Sequence, residues 1–369
     1  MGLQHAATRR VLVEAVPEYP IVEPRPYPSM VREFPANSRN YPWFGQFIPL
    51  GTTEFVYAAT RRVLVAATLP LTPPAGAAIA TDFGIVGDGT DERAAMQAMI
   101  NATGVGDVLW FPDPPVRYYF GQAPGQSYGL AGRTGLDIRG VGDATYFYTP
   151  ATYPIQFFSG DSGITLKNFR LQGTYLTNQY GVVFSGNVSQ VLIDGLTVHD
   201  MLFAGLYSSA ALTEALVKNT TLHDNGFVGV QLKDGSGQVR FEDCLSHNCM
   251  DPMYPPHPYY ISGATGLIEF IRCEGHTVAS RPNGYGGVQL TNCSNVYLED
   301  CNMHHNRPVG ANDGYGYIFD GATNAELVRC IGAKDGYTGP CLDNYYTFYE
   351  IGGPTVTYED CVGTKRVYG

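Results

Sequence analysis

The chain has 369 residues, with 44 Gly, 25 Pro and 26 Tyr; charged residues make up 15% and hydrophobic residues 44%. This apolar content excludes disorder throughout, and no run approaches the roughly 18 apolar residues of a membrane-spanning helix. The net charge is -11, so nucleic acid is not expected as the main partner.

Residues 1–76 come first and differ from the rest. Seven Arg and five Glu leave this segment at +2, while sixteen basic and twenty-nine acidic residues leave 77–369 at -13. Eleven of the 25 Pro also lie in 1–76, which removes backbone donors and blocks helix interiors. The segment reads as an extended Pro- and Arg-rich arm. Within it the octapeptide AATRRVLV occurs twice, at 6–13 and 58–65. A duplicated clip of this kind suits attachment to a large partner or to oligomer mates. The opening MGLQHAATRRVLVEAVPEYP has no long apolar core, so a usual secretory signal is not expected.

Residues 81–112, TDFGIVGDGTDERAAMQAMINATGVGDVLWFP, open the body. Thr90 is the expected helix N-cap, with Asp91 and Glu92 at the positive helix end. Met96, Met99 and Ile100 form one apolar helix face, and VLWFP reads as a buried strand.

From 164 onward one phrase recurs: apolar, any, apolar, any, turn residue, small or apolar residue. Its eight copies are ITLKNF (164–169), VLIDGL (191–196), ALVKNT (215–220), VRFEDC (239–244), IEFIRC (268–273), VYLEDC (296–301), AELVRC (325–330) and VTYEDC (356–361). Alternation marks each as a short strand with one buried face. The fifth position holds Asn168, Gly195, Asn219, Asp243, Asp300 and Asp360, which tolerate a left-handed bend; Arg272 and Arg329 depart from this. The sixth position holds Cys244, Cys273, Cys301, Cys330 and Cys361, expected as an inward column of reduced thiols. Three residues later stand His199, His223, His247, His276 and His304, expected as an outward ladder of neutral rings. A straight outward stack does not converge on a metal ion. A Gly-led strand also recurs: GVVF (181–184), GLYS (205–208), GVQL (229–232), GVQL (287–290) and GYIF (316–319). Three strands per repeat, each unable to bury its own face alone, predict an all-β fold: a single-stranded parallel β-helix of roughly ten coils over 77–369. A short N-terminal capping helix and the extended arm precede it.

The opening DFG-x-x-GDG-x-x-D, its Ala-rich helix and the following strand resemble the start of pectate-lyase-superfamily right-handed β-helix proteins. LDIRGVGDAT (136–145) resembles one of their early coils. The resemblance implies a right-handed solenoid and admits lyases, hydrolases, epimerases, bacteriophage tailspikes and non-catalytic binding proteins. It therefore leaves enzymatic activity open. Polygalacturonase motifs are missing. The Asp251-Pro252 pair is not followed by the His-Glu of mannuronan epimerases, the next His being His257. No resident cofactor is implied, although calcium would be admitted for an anionic substrate.

Coil lengths locate a candidate site. His199 to Gly205 and His223 to Gly229 are short steps, whereas the turns 248–258, 277–286, 305–315 and 331–345 are long. Such loops on a rigid scaffold carry function. Candidate catalytic residues are Asp313, Asp343, Asp251 and His257. Candidate substrate-binding residues are Tyr254, Arg281, Asn283, Tyr285, Arg307, Tyr315 and Tyr337. Aromatic faces beside carboxylates and amides suit sugar rings. Two carboxylates one or two coils apart span about 5–10 Å, the range used in glycoside hydrolysis.

These features favour a virion-associated, tailspike-like surface protein. The arm would anchor it to capsid or tail proteins, the β-helix would contact cell-surface polysaccharide, and the resemblance adds a homo-oligomer, a trimer first. It would reach the outside by lysis within the virion. The alternatives are a free polysaccharide lyase, hydrolase or epimerase, and a non-catalytic structural spike or spike base.

Overall fold

The recurring phrases stack in register as one parallel sheet. Val191 pairs with both Ile164 and Ala215, and the same column continues through Val239, Ile268, Val296 and Ala325 to Val356. All eight copies therefore share one register. Position three enters the core in each of the first seven copies, so Leu166, Ile193, Val217, Phe241, Phe270, Leu298 and Leu327 are buried. The structure, a computed structural model, describes residues 72–175, 178–249, 257–278, 285–307, 314–332, 345–363 and 365–368. Contacts divide the chain into Met1–Val63 and Leu64–Gly369. The described residues all belong to the second unit, and residues 1–71 of the arm, with both AATRRVLV segments, lie outside them.

Each coil has three faces. The phrases form the first. Short strands such as Thr197–His199, Thr221–His223 and Leu245–His247 form the second. The Gly-led strands form the third, a ten-stranded parallel sheet from Tyr128–Ala131 to Lys365–Tyr368. The first and second faces make one sheet, because Ser162–Gln172 turns the corner unbroken and pairs with both Val188–Asp194 and Thr197–His199.

The bend between these two faces is the fifth position of the phrase. Every residue there has positive φ, from Asn168 at 54° to Asp360 at 51°. Arg272 and Arg329 obey the same geometry, at 53° and 51°. A left-handed Arg costs about 1–2 kcal/mol, and contacts one coil back offset it. Arg272 Nε and Nη2 donate to Asp243 at 2.8 Å each, and Nη2 also donates to Glu242 at 2.6 Å. Arg329 makes the same contacts with Asp300 and Glu299. The pairs face solvent, so their contribution is small; the Arg272 pair adds only a few tenths to about 1 kcal/mol. Arg272→Ala, which keeps the strain and loses the pair, is expected to lower stability by about 1 kcal/mol in urea titration. Arg272→Gly, which loses both, should be near neutral.

The Gly of the third face has a steric origin. A Cβ on Gly181 would lie 2.2 Å from the Gly205 carbonyl oxygen and 2.7 Å from Val198 Cγ1. On Gly229 it would lie 1.9 Å from Ser246 Oγ. At Gly181 and Gly229 the second and third faces converge too tightly for a side chain, whereas Pro154, Pro258 and Thr347 hold the same column in other coils.

The Cys column is buried and reduced at Cys244, Cys273, Cys301 and Cys330, while Cys361 is half-buried. Thiols donate to carbonyls one coil back, Cys244 to Val217 at 3.3 Å and Cys301 to Phe270 at 3.3 Å. Burial pushes the Cys273 thiol well above its ordinary range. Cys249 and Cys293 are also buried thiols outside any disulfide, and Cys341 lies outside the described residues.

The first coil differs from the expectation at one point. The helix α1 runs Arg93–Ala102 with Glu92, not Thr90, at the N-cap. Asp88–Asp91 instead pairs with Arg117–Tyr119, and the Thr90 hydroxyl donates to Asp88 at 2.7 Å. Glu92 reaches back to the amides of Val86 and Gly87, at 2.6 and 2.8 Å. Met96, Met99 and Ile100 enter the core, and the Gln97 side chain ties the helix to Ala131. Arg133 donates to the carbonyls of Ile100, Thr103 and Gly104, satisfying the helix C-terminus. Among the described residues no helix is long and apolar enough to cross a membrane.

Candidate functional site

The long turns leave the fold at one corner. The second-face strands Glu274–Val278 and Asn302–Arg307 end there, and the third-face strands His257–Ser262, Tyr285–Thr291, Gly314–Asp320 and Tyr345–Ile351 begin there. Asp251, Tyr254, Arg281, Asn283, Asp313, Tyr337 and Asp343 lie outside the described residues. Tyr285 and Arg307 are placed by backbone alone: Tyr285 pairs with Gly314, and Arg307 with Val278.

Tyr315 and His257 are fully placed, and both are buried. Tyr315 stacks on Tyr349 with centroids 4.3 Å apart. His257 lies against Tyr260, and its Nδ1 accepts the Gly286 amide at 3.2 Å. Burial pushes the His257 ring down to about 4, so it is neutral near pH 7.

The five-His ladder is real and partly buried. Consecutive rings stack at 4.7, 5.2, 5.0 and 5.1 Å. His199 and His223 Nδ1 meet the carboxylates of Asp200 and Asp224 at 3.1 and 2.6 Å, and His304 Nε2 meets Glu274 at 3.0 Å. Among the described residues no group of three or more His, Cys, Asp or Glu is arranged to hold a metal ion.

A surface not singled out from the sequence stands beside the corner. The column that alternates with the core positions of the third face runs Gln156, Val183, Tyr207, Gln231, Tyr260, Gln289, Ile318 and Tyr349; Tyr207, Tyr260, Gln289 and Tyr349 are half-buried, whereas Gln156, Val183, Gln231 and Ile318 are buried. None of the eight is charged. Aromatic groups extend it: Tyr180 lies 5.6 Å from Tyr153, 5.1 Å from Phe203 and 4.5 Å from Tyr207. Lys233 sits over Tyr207 at 5.5 Å, and Gln156 donates to Ser185 at 2.6 Å. The first face is the opposite. Its outward positions carry Lys167, Asp194, Lys218, Arg240, Glu242, Glu269, Glu299 and Glu326. The signal for the neutral wall was present: it is the third letter of each Gly-led phrase, read with strand alternation.

A family model described as a right handed beta helix region matches residues 155–255. The chain is a right-handed parallel β-helix. Solved β-helices of similar fold include the enzymatically active domain of tailspike protein 2 from bacteriophage CBA120. That protein is 14% identical, with a TM-score of 0.53, over 77% of this chain and 47% of its own. This β-helix therefore spans about half the length of that tailspike domain. The A-module of a mannuronan C-5 epimerase from Azotobacter vinelandii is 17% identical, with a TM-score of 0.46, over 77% of this chain and 88% of its own. A tailspike protein of E. coli bacteriophage HK620 is 13% identical, with a TM-score of 0.40, over 80% and 67%. At such identities the likeness is one of fold alone. No curated protein sequence matches the chain.

Proposed function

We propose that the β-helix is the polysaccharide-contacting part of a tailspike-like virion surface protein, and that sugars lie along the third face beside the long-turn corner. The carrying observation is the neutral aromatic and amide column from Gln156 to Tyr349. Half-buried rings such as Tyr180, Tyr207 and Tyr260 offer apolar faces to sugar rings, and the half-buried Gln289 offers both donors and an acceptor. Because the acidic side chains stand on the first face, the wall suits a neutral glycan. An anionic glycan would need calcium among the acidic residues of the turns. In this reading residues 1–76 attach the protein to capsid or tail, and Tyr254, Arg281, Asn283, Tyr285, Arg307 and Tyr337 extend the contact from the turns.

Purified bacterial capsular and O-antigen polysaccharides, titrated against the full chain, test this. At least one should bind saturably, and Tyr207→Ala should weaken it about tenfold, the worth of one ring contact. Binding unchanged by Tyr207→Ala and Tyr180→Ala would remove the wall from the account. The alternative, a lyase or hydrolase, is favoured by Asp313 and Asp343 on neighbouring turns. It requires that the wild-type chain shorten the bound polysaccharide and that Asp313→Asn or Asp343→Asn stop this while leaving binding intact.

A further inference from the structure

Two guanidinium groups early in the second face stand on tyrosine rings with no carboxylate to hold. Arg117 and Arg170 flank Tyr146 on neighbouring strands. Arg117 lies over the Tyr148 ring at 4.3 Å, and Arg170 over the Tyr146 ring at 3.9 Å. Elsewhere on the solenoid Lys167 and Lys218 share Asp194, Arg139 meets Asp137, and Arg240, Arg272 and Arg329 meet Glu242 or Glu299. Among the described residues Arg117 and Arg170 have no ion pair, and the Nε of each is buried without a hydrogen-bond acceptor. Carboxylates on or beside these strands are engaged elsewhere: Asp88 with the Thr90 hydroxyl at 2.7 Å, Asp143 with the Thr197 hydroxyl at 2.7 Å, and Asp200 with Gln172 at 2.6 Å. Both guanidinium charges act on the Tyr146 hydroxyl, opposing the burial that raises its pKa. Partly buried positive charge of this kind is costly until a partner takes it.

The stacking selects the ligand. A guanidinium seated on an aromatic ring still presents its N–H edge, and that edge fits an anion with two oxygens in a fork. Tyr119 lies 6.0 Å from Tyr148 and carries no cation among the described residues, so its half-buried ring is open to a flat apolar group. A carboxylate attached to a ring with one apolar face meets both demands, and an acidic sugar is that combination. We infer that Arg117 and Arg170 bind the carboxylate of an acidic sugar residue whose ring rests on Tyr119. The site lies on the second face, apart from the proposed neutral wall, and holds whether or not that wall binds sugar. Its positive charge is the protein's own, so no calcium bridge is needed.

The test titrates the full chain by calorimetry with three defined oligosaccharides, carrying glucuronate, galacturonate or N-acetylneuraminate, each beside its carboxyl-reduced form. At least one should bind saturably, and its reduced form at least tenfold more weakly. Arg117→Gln and Arg170→Gln should each cut that affinity at least tenfold. Arg170→Lys, which keeps the charge and loses the fork, should cut it nearly as much. Tyr207→Ala, on the third face, should leave it unchanged. Phenylglyoxal labelling read by mass spectrometry should show Arg117 and Arg170 shielded by the same oligosaccharide, and not by inorganic phosphate at equal concentration. No binding by any of the three, equal binding of the reduced form, indifference to the Arg changes, loss through Tyr207→Ala, or equal shielding by phosphate would overturn the inference. Circular dichroism of each variant shows that loss of binding is not loss of fold.

Discussion

Gly181→Ala is expected to destabilise the β-helix by about 3 kcal/mol or more, among the largest effects of any single methyl added to it. The added Cβ would sit 2.2 Å from the Gly205 carbonyl oxygen, a backbone atom of the next coil, so no side-chain rotation relieves it. Relief requires coils to separate, which lengthens the ladder hydrogen bonds on all three faces. The matched control is Gly125→Ala. There the new Cβ meets nothing within 4 Å and φ is +70°, so only the backbone cost of about 1 kcal/mol applies. Because repeat stacks unfold through neighbouring units, native-state hydrogen exchange should show the loss concentrated in coils near residues 155–230. A change below 1 kcal/mol for Gly181→Ala would mean the corner is wider than described.

Acid should remove about 3 kcal/mol of stability through His257. Its ring titrates near the ordinary value of 6.5 when unfolded and about 4 when folded, because burial opposes the charge. The contribution is complete above pH 6.5. It falls as pH drops from 6.5 to 4, where the unfolded chain takes up a proton and the folded chain does not. Protonation would exchange the bond from the Gly286 amide for one to the Gly286 carbonyl oxygen, 3.1 Å from Nδ1, so burial carries the loss. His247 works in the same direction, held low first by burial and then by the neighbouring His223 ring. Asp200, held below its usual range chiefly by its His199 hydrogen bond, adds a further loss at lower pH. Denaturation midpoints measured from pH 7 to pH 4 should fall for the wild type, and fall less steeply for His257→Gln. Parallel profiles for the two proteins would show that His257 is not the group responsible.

The repeat was legible because a solenoid imposes the same local demand every coil. The eight phrases, the inward thiols and the stacked imidazoles each follow from strand alternation, and alternation is local. Arg272 and Arg329 stood out as wrong for a left-handed bend because their justification lies 29 residues back, at Asp243 and Asp300. Thr90 looked like an N-cap because nothing nearby shows that Asp88–Asp91 is claimed by Arg117–Tyr119. For the candidate site, chain length between repeats located the corner where the long turns arise. It did not locate the neutral wall, because Tyr207, Tyr260 and Gln289 form a surface only after stacking, and no one coil displays it. His257, read from the sequence as a turn residue, begins a strand and is buried.

Hydroxyl-radical footprinting with a bound bacterial polysaccharide decides whether sugars lie along the third face, since it reads each tyrosine of the full chain separately. Tyr180, Tyr207, Tyr260 and Tyr349 on the third face should be protected, with Tyr297 on the first face unchanged. Protection of Tyr297 with the third-face rings unaffected would contradict that placement.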